Sequence, residues 1–405
     1  MPEREHGKYG KVLFVFCGGG CKAVMQAYAA AELVKAGFHP AHIVSSSAGT
    51  CNAMGFVESP GAAGAAKTIR IWEHDITSPD AIYEIHPYLR HKLTHLLGIV
   101  PQVTQGWGPS GSVLRDVRRA LKFFPLVMSL CVGMPFRLAG RSVSFLFRLM
   151  DEFSSPLKSF RRLVHAPEIQ RTFDEFDRYF ELKRMKAFLD PFPLLATLAG
   201  QINLQKVITS PVVWSILAER YEDGSTVVFS NKDADLAPTA GEDARSVKAK
   251  HDLFYKRIRA SLALYPLFEM VEIDGSRYLD ADLANPLPVE IAFQSGCQTV
   301  FILLNVPQQA VRLEPHPLSD LVELNVLTRL NERYIHQRLR EAQYRAKEFG
   351  INLFVIRPDE IPAGLGLLEI DSKVIEQVKG HVQRRMQDYL LNLEAHNLRF
   401  APPIP

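Results

Sequence analysis

The sequence predicts a three-layer α/β domain with a central, mainly parallel sheet that is interrupted by a helical insert. The first sixty residues alternate strand and helix patterns. Two later apolar runs, Thr299 to Asn305 and Ile351 to Arg357, have the continuous hydrophobicity of strands buried on both faces. Each run precedes a long helical pattern, at about Leu321 to Phe349 and Ser372 to Glu394. This order favours parallel strands with right-handed crossovers.

The opening elements follow one another closely. An apolar strand from Val12 to Cys17 leads through a glycine turn into an Ala-rich helix from Val24 to Ala36. A short strand then ends at Val44 and is followed by another helix start. Further on, two β-rich runs between Ser210 and Ser230 are joined by Glu222-Asp223-Gly224, which predicts a hairpin with a tight turn.

We expect one domain over residues 10–405, with the insert at about residues 60–205. The insert is helical in pattern and rich in Phe, Leu and Arg. Between Arg115 and Arg162, ten Lys and Arg stand against three acidic residues, a local formal charge of +7. Interleaved basic and apolar residues are typical of a lid or of a peripheral membrane contact. A helical cap packed on its own core is the alternative interpretation.

Composition excludes several classes of protein. A net charge of +3 from 47 basic and 44 acidic side chains does not favour nucleic-acid binding. Five scattered cysteines are typical of a reducing compartment. The first apolar run is shorter than a signal-peptide core, and prolines interrupt the longest one, Phe123 to Phe136. We therefore expect a cytoplasmic protein, peripheral at membranes, with no signal peptide and no transmembrane span.

A glycine run is the first candidate for chemistry. Gly18-Gly19-Gly20 lies between a strand and a helix, where backbone amides converge and the helix dipole favours negative charge. Such a turn holds a phosphate or an oxyanion. With Ala23 the run also fits the G-x-G-x-x-A spacing of dinucleotide-binding folds. Those folds need an acidic residue at the end of the second strand, where this chain has Ser45-Ser46-Ser47, so a nucleotide-dependent oxidoreductase is disfavoured.

Two polar motifs complete the pattern. Ser45-Ser46-Ser47-Ala48-Gly49 lies at a strand-turn-helix junction, the geometry of a nucleophile elbow with Ser47 at its centre. A serine that caps the helix is the simpler interpretation. Asp280 follows a predicted hairpin and strand, where a carboxylate can act as a general base for a serine hydroxyl. Taken alone, Asp280 is better explained as a turn-forming residue.

Together the three elements resemble the patatin-like phospholipase family. The family pattern is G-G-G-x-[RK], then G-x-S-x-G, then D-G-[GA]. The matching segments here are Gly18 to Lys22, Ser45 to Gly49, and Asp280-Ala281-Asp282. The resemblance extends over about residues 10–58 and 206–305, with a looser similarity beyond, and leaves the insert uncovered. Ser45 and Ala281 replace glycines of the pattern.

The resemblance implies a patatin-like fold and a lipid acyl hydrolase, of phospholipase A or lysophospholipase type, acting on phospholipids or other lipid esters. It implies a serine-aspartate dyad that needs neither histidine, metal nor cofactor. The site residues that it implies are Ser47 as nucleophile, Asp280 as base, the amides of Gly18, Gly19, Gly20 and Cys21 as oxyanion hole, and Lys22 and Gly49 in support.

An alternative function stays open at this point. A protein of the same fold that has lost catalysis and binds membranes or a partner would also carry these motifs. Ser45 and Asp282, which depart from the family pattern, favour that alternative.

Overall fold

The computed structural model describes residues 9–86, 186–307 and 321–402, apart from residues 240, 266, 284 and 363. The chain forms two compact units. The first comprises Met1–Tyr83, Pro191–Val311 and Glu332–Pro405, and the second comprises Glu84–Asp190 and Arg312–Asn331. The region predicted as an insert, residues 60–205, therefore contributes to both units. Its basic stretch from Arg115 to Arg162 lies outside the described residues.

Most of the described strands form one eight-stranded sheet in the first unit. In chain order the strands are β1 (Val12–Phe16), β2 (Pro40–Ser45), β3 (Glu84–Ile85), β4 (Leu189–Asp190), β5 (Val213–Arg220), β6 (Thr226–Ser230), β7 (Val271–Ile273), β8 (Ser276–Asp280), β9 (Thr299–Leu303) and β10 (Asn352–Ile356). The sheet order is β10-β9-β1-β2-β5-β8-β7, and β6 also pairs with β5. In the second unit, β3 and β4 form a short antiparallel pair.

The large sheet is mixed and mostly parallel, as predicted. The central run from β10 to β5 is parallel throughout. The remaining pairs are antiparallel: β5–β6 and β7–β8 are hairpins, and β8 pairs with β5 from a distant part of the chain. One hairpin turns at the predicted Glu222 to Gly224, between β5 and β6. The other turns at Asp274 and Gly275, which both have positive φ angles, of 50° and 79°, as a tight two-residue turn requires.

The described helices include those predicted near the start and at the end of the chain, together with others, such as Ala244–Ser261, that were not predicted. They are α1 (Ala23–Lys35), α2 (Ala48–Glu58), α3 (Ala62–Arg70), α4 (Phe192–Gln201), α5 (Leu204–Thr209), α6 (Ala244–Ser261), α7 (Val289–Gln294), α8 (Leu321–Phe349) and α9 (Ser372–Leu391). A π-helical turn, Ile71–Asp75, continues from α3. Within the part of the chain that the structure describes, every helix is too short or too polar to span a bilayer.

Two hydrophobic cores lie on opposite faces of the sheet. Successive side chains of a strand point to opposite faces, so β1 contributes to both cores. Phe14 and Phe16 belong to the core that includes α1, α2 and α9. Leu13 and Val15 belong to the core that includes α7 and the described part of α8. Helices therefore cover both faces of the sheet, which confirms the predicted three-layer α/β class.

Candidate active site

The carboxyl ends of three neighbouring parallel strands bring the first polar residues together. Phe16, the last residue of β1, pairs with Ser45 of β2 on one side and with Leu303 of β9 on the other. The glycine loop follows β1, the serine elbow follows β2, and Asn305 follows β9. The edge formed by the carboxyl ends of strands is where open α/β sheets place their ligands.

The register of β8 brings Asp280 to the same edge. β8 runs antiparallel to β5, and its final residue, Asp280, pairs with Ala218. Ile216, two residues earlier on β5, pairs with Ser45. The end of β8 therefore stops just beyond the end of β2, so the candidate base and the candidate nucleophile meet although 233 positions separate them in the sequence.

Ser47 has the backbone geometry of a nucleophile elbow. It is half-buried, stands between β2 and α2, and has φ 50° and ψ −137°, a conformation rare for a residue with a side chain. The turn is tight: a Cβ atom on Gly49 would lie 2.3 Å from the backbone oxygen of Phe16. Glycine at position 49 therefore allows α2 to begin directly against β1, and Ser47 is held in a strained turn.

Ser45, which replaces a glycine of the family pattern, has a full set of partners. Its hydroxyl accepts a hydrogen bond from the indole nitrogen of Trp214 at 2.8 Å and lies 3.1 Å from the hydroxyl of Thr50. Thr50 in turn lies 3.0 Å from the hydroxyl of Ser261, which accepts the amide of Ser47 at 3.2 Å. The substituted position therefore belongs to a buried chain of hydrogen bonds that ends on the backbone of the elbow.

Four amides of the glycine loop, those of residues 18 to 21, were predicted to form an oxyanion hole, and two of them have an acceptor within the described part of the chain. The amide of Gly18 donates to the carboxylate of Asp282 at 3.0 Å, and that of Cys21 donates to the backbone oxygen of Leu367 at 3.0 Å. Gly19 and Gly20 have no amide acceptor among the described residues. In this structure the amides of Gly18 and Cys21 thus hold the loop itself, and the oxyanion hole stays a prediction.

Side chains that the motif comparison did not single out fix this loop. Asn305 donates to the backbone oxygen of Gly18 at 2.8 Å, and Gln26 donates to that of Cys17 at 2.6 Å. A Cβ atom on Gly19, whose φ is 138°, would lie 2.8 Å from the side chain of Asn305. The sequence carried one signal for Asn305, since it ends the apolar run of β9 with a polar residue at the strand end.

Asp280 is a buried carboxylate with one unpaired oxygen. It is 1% exposed, and its Oδ1 accepts the amide of Asp282 at 2.9 Å. Its Oδ2 has no hydrogen-bond partner of ordinary geometry among the described residues. Burial raises the pKa of Asp280 well above its usual range, and the negative charges of Asp282 and Glu219 add to the rise. The side chain of Ser47 lies near enough to lower that pKa in part.

Lys22 and Ala281, the two motif positions not yet described, also lie at this edge of the sheet. Burial lowers the pKa of Lys22, while the carboxylate of Asp282 opposes that change. Ala281, which replaces the glycine after the base, is fully buried in the core on the α7 side, so its methyl group is accommodated there.

Neither a histidine nor a metal-ligand cluster is part of the described site. Among residues 9–86, 186–307 and 321–402, no histidine bonds to Ser47 or Asp280. The same residues contain no group of three His, Cys, Asp or Glu that could hold a metal ion. The acid-base group nearest to Ser47 in the described site is a carboxylate.

Comparison with known proteins gives the family. The family model described as patatin-like phospholipase matches residues 14–293. No curated protein sequence matches the chain. Among solved structures, VipD from Legionella pneumophila aligns over 94% of this chain and 67% of VipD, with 10% identity and a TM-score of 0.35. That score is too low to support any argument. The family model, however, spans more than half of the sequence, and the chain belongs to the patatin-like phospholipase family.

Proposed function

We propose that the protein is a lipid acyl hydrolase of phospholipase A or lysophospholipase type, which uses Ser47 as nucleophile and Asp280 as general base. One observation carries the proposal: the strained, half-buried Ser47 lies beside a buried carboxylate with one oxygen that has no hydrogen-bond partner in the described part of the chain. The family is one of lipid acyl hydrolases, which supports the reaction class.

In the proposed first step, Oδ2 of Asp280 accepts the proton of the Ser47 hydroxyl as the serine oxygen attacks the acyl carbonyl. The amides of Gly19 and Gly20 stabilise the negative charge that develops on the carbonyl oxygen. The alcohol leaves with the proton from Asp280, and the acyl group remains on Ser47. Asp280 then activates a water molecule, which releases the fatty acid and restores the serine.

Burial makes a carboxylate suitable for this work. An exposed aspartate, with a pKa near 4, is a weak base toward a hydroxyl group. Loss of water around Asp280 raises its pKa, so the ionised form binds a proton more strongly. A general base is most effective when its pKa lies near the working pH, and the raised value moves Asp280 in that direction.

The substrate class follows from the family, and contact with a membrane surface is a further part of the proposal. The stretch from Arg115 to Arg162 carries a formal charge of +7 with interleaved apolar residues, which suits anionic lipid surfaces. Replacing Arg137, Arg141 and Arg148 by Gln should reduce co-sedimentation with anionic vesicles. The parent's binding should weaken with salt, since screening acts within about 8 to 10 Å. Equal binding by parent and variant would contradict the membrane contact.

Hydrolysis by the purified chain tests the proposal. The parent protein should release fatty acid from phospholipid vesicles and cleave a short soluble ester. Ser47→Ala should lower kcat by roughly 10⁴ to 10⁶, as expected for a triad nucleophile. Ser372→Ala, at an exposed position on α9, serves as the control and should retain full activity. An inactive but folded parent would favour a binding protein, and an active Ser47→Ala would place the nucleophile elsewhere.

A further inference from the structure

One residue, Asp282, contacts all three elements of the candidate site. Oδ1 of Asp282 accepts the amide of Gly18 at 3.0 Å and the hydroxyl of Ser46 at 3.3 Å. The amide of Asp282 donates to Oδ1 of Asp280 at 2.9 Å. The glycine loop, the serine elbow and the base therefore meet at a single residue, two positions after the base in the chain.

Gly18 and Asp282 are fitted to each other. A Cβ atom on residue 18 would lie 2.4 Å from the carboxyl carbon of Asp282, so only glycine allows this approach. The third position of the family's D-G-[GA] pattern is a small residue, whereas this chain has a carboxylate there. The contact is thus a feature of this chain and does not follow from the pattern.

From these contacts we propose that Asp282 is a positioning residue, which holds the glycine loop and the elbow in register with Asp280 through the Gly18 amide and the Ser46 hydroxyl. The proposal rests on the proposed function, because it assigns a role in the reaction of Ser47. Two independent hydrogen bonds to one carboxylate oxygen fix the distance between the loop and the elbow. A small displacement of oxyanion donors from the reacting carbonyl is enough to slow an acyl transfer.

The groups around Asp282 act on its ionisation in opposite directions. Burial raises its pKa, while the amide of Gly18, the hydroxyl of Ser46 and the cation of Lys22 oppose that rise. Two negative charges act on Asp280, that of Asp282 and that of Glu219 on β5, and both raise the pKa of Asp280. The thiol of Cys17, at the end of β1, also faces Asp282. Removal of the charge from Asp282 should therefore lower the pKa of Asp280, whereas removal of its side chain should also release the loop.

Three variants separate these two effects. Asp282→Ala should lower kcat on a soluble ester by roughly 10- to 100-fold, with little change in KM. This is the range found when a residue that orients a metal ligand through a hydrogen bond is lost. Asp282→Asn keeps an acceptor oxygen, so it should retain most of kcat and shift the acid limb of the pH profile to lower pH. Glu219→Gln is the matched control, because Glu219 carries a charge that faces Asp280 but makes no hydrogen bond to the glycine loop among the described residues. This variant should shift the acid limb of the pH profile and leave kcat on the plateau of that profile unchanged.

The outcomes also separate this inference from the proposed function. A parent that shows no hydrolysis defeats the proposed function whatever the variants do. An active parent whose kcat and pH profile are unchanged in both Asp282 variants overturns the positioning role alone. A kcat in Asp282→Ala no lower than in Glu219→Gln has the same effect. If Asp282→Ala does not fold, Ser46→Ala decides, because it removes one of the two hydrogen bonds to Asp282 and leaves every charge in place. A kcat below that of Glu219→Gln supports the positioning role, and a kcat equal to it overturns the role.

Discussion

On the elbow side of the site, formed by Ser45, Ser47, Thr50, Trp214 and Ser261, buried polar groups are linked in a continuous chain of hydrogen bonds. On the base side, formed by Asp280 and Asp282, one buried carboxylate oxygen of Asp280 has no hydrogen-bond partner among the described residues, and the charges near it are also negative. Both sides lie at the same edge of one sheet, yet the polar atoms are hydrogen-bonded to one another on the elbow side, whereas on the base side one is left without a partner among the described residues.

The difference indicates separate tasks for the two sides: the elbow side holds Ser47 in place, and the base side takes up its proton. A fully paired buried network rigidifies its surroundings, which suits a serine that must be held in a strained turn. An unpaired buried carboxylate costs free energy, but it binds a proton more strongly than an exposed one. We infer that the elbow side contributes geometry and stability, while the base side gives up stability for basicity. Substitutions on the two sides should therefore have effects of opposite sign on stability.

The largest effect is expected on the base side. Asp280→Asn should lower kcat by roughly 10⁴-fold, because an amide oxygen cannot take the proton of Ser47. Steady-state kinetics on a soluble ester measure this loss. Asp274→Asn is the matched control, since Asp274 is exposed in the hairpin turn that precedes β8 and should be silent. A mild effect of Asp280→Asn would point to a different base and would remove the contrast.

The same variant should gain stability at alkaline pH. Because the pKa of Asp280 is raised in the folded state, the folded protein keeps a proton that the unfolded chain releases. Stability of the parent should then fall as pH rises from the unfolded pKa, near 4, through the folded one. Asp280→Asn lacks this loss, so its Tm should exceed that of the parent more at pH 9 than at pH 5. A Tm below that of the parent at pH 9 would contradict the account.

A smaller effect, in the opposite direction, is expected on the elbow side. Ser261→Ala removes the acceptor of the Ser47 amide and the partner of Thr50, so it should destabilise the fold by about 1 to 3 kcal/mol. Its loss of kcat should be far less than that of Asp280→Asn. Denaturant unfolding measures the first quantity, with Ser372→Ala as control. An unchanged free energy of unfolding would show that the elbow does not depend on this chain of bonds.

The fold was largely predictable because its signals are local. The apolar runs at β1, β9 and β10 and the tight turn before β6 are visible in short windows of sequence. The helix predicted over Leu321 to Phe349 has those bounds in the structure. The order of the strands in the sheet depends on contacts between residues far apart in the chain. The glycine loop and the serine elbow indicated only the centre of the sheet, where β1 and β2 lie side by side.

The site was predictable as a set of motifs and not as a network. Ser47 and Asp280 were chosen from their motifs, and the structure brings their side chains together. The partners of the elbow were missed because Ser261 lies 214 positions from Ser47 in the chain, and such contacts leave no periodic pattern. A motif also cannot reveal that the loop uses the amides of Gly18 and Cys21 in its own hydrogen bonds.

Ser45 and Asp282 show how a departure from a pattern gains meaning from its neighbours. In the sequence, each favoured a site that had lost catalysis. In the structure, the hydroxyl of Ser45 fills a place between Trp214 and Thr50, and Asp282 accepts two hydrogen bonds at the centre of the site. Both residues thus take part in hydrogen bonds that hold the elbow and the loop, so neither argues against the proposed function.

Covalent labelling with a fluorophosphonate probe tests the central claim, the pairing of Ser47 with Asp280, most directly. The account predicts a stoichiometric adduct on Ser47, located by mass spectrometry, and none in Ser47→Ala. The labelling rate should rise with pH well above the range near pH 4 where an exposed aspartate titrates, and it should be strongly reduced in Asp280→Asn. An adduct on another serine, or a labelling rate that Asp280→Asn leaves unchanged, would contradict it.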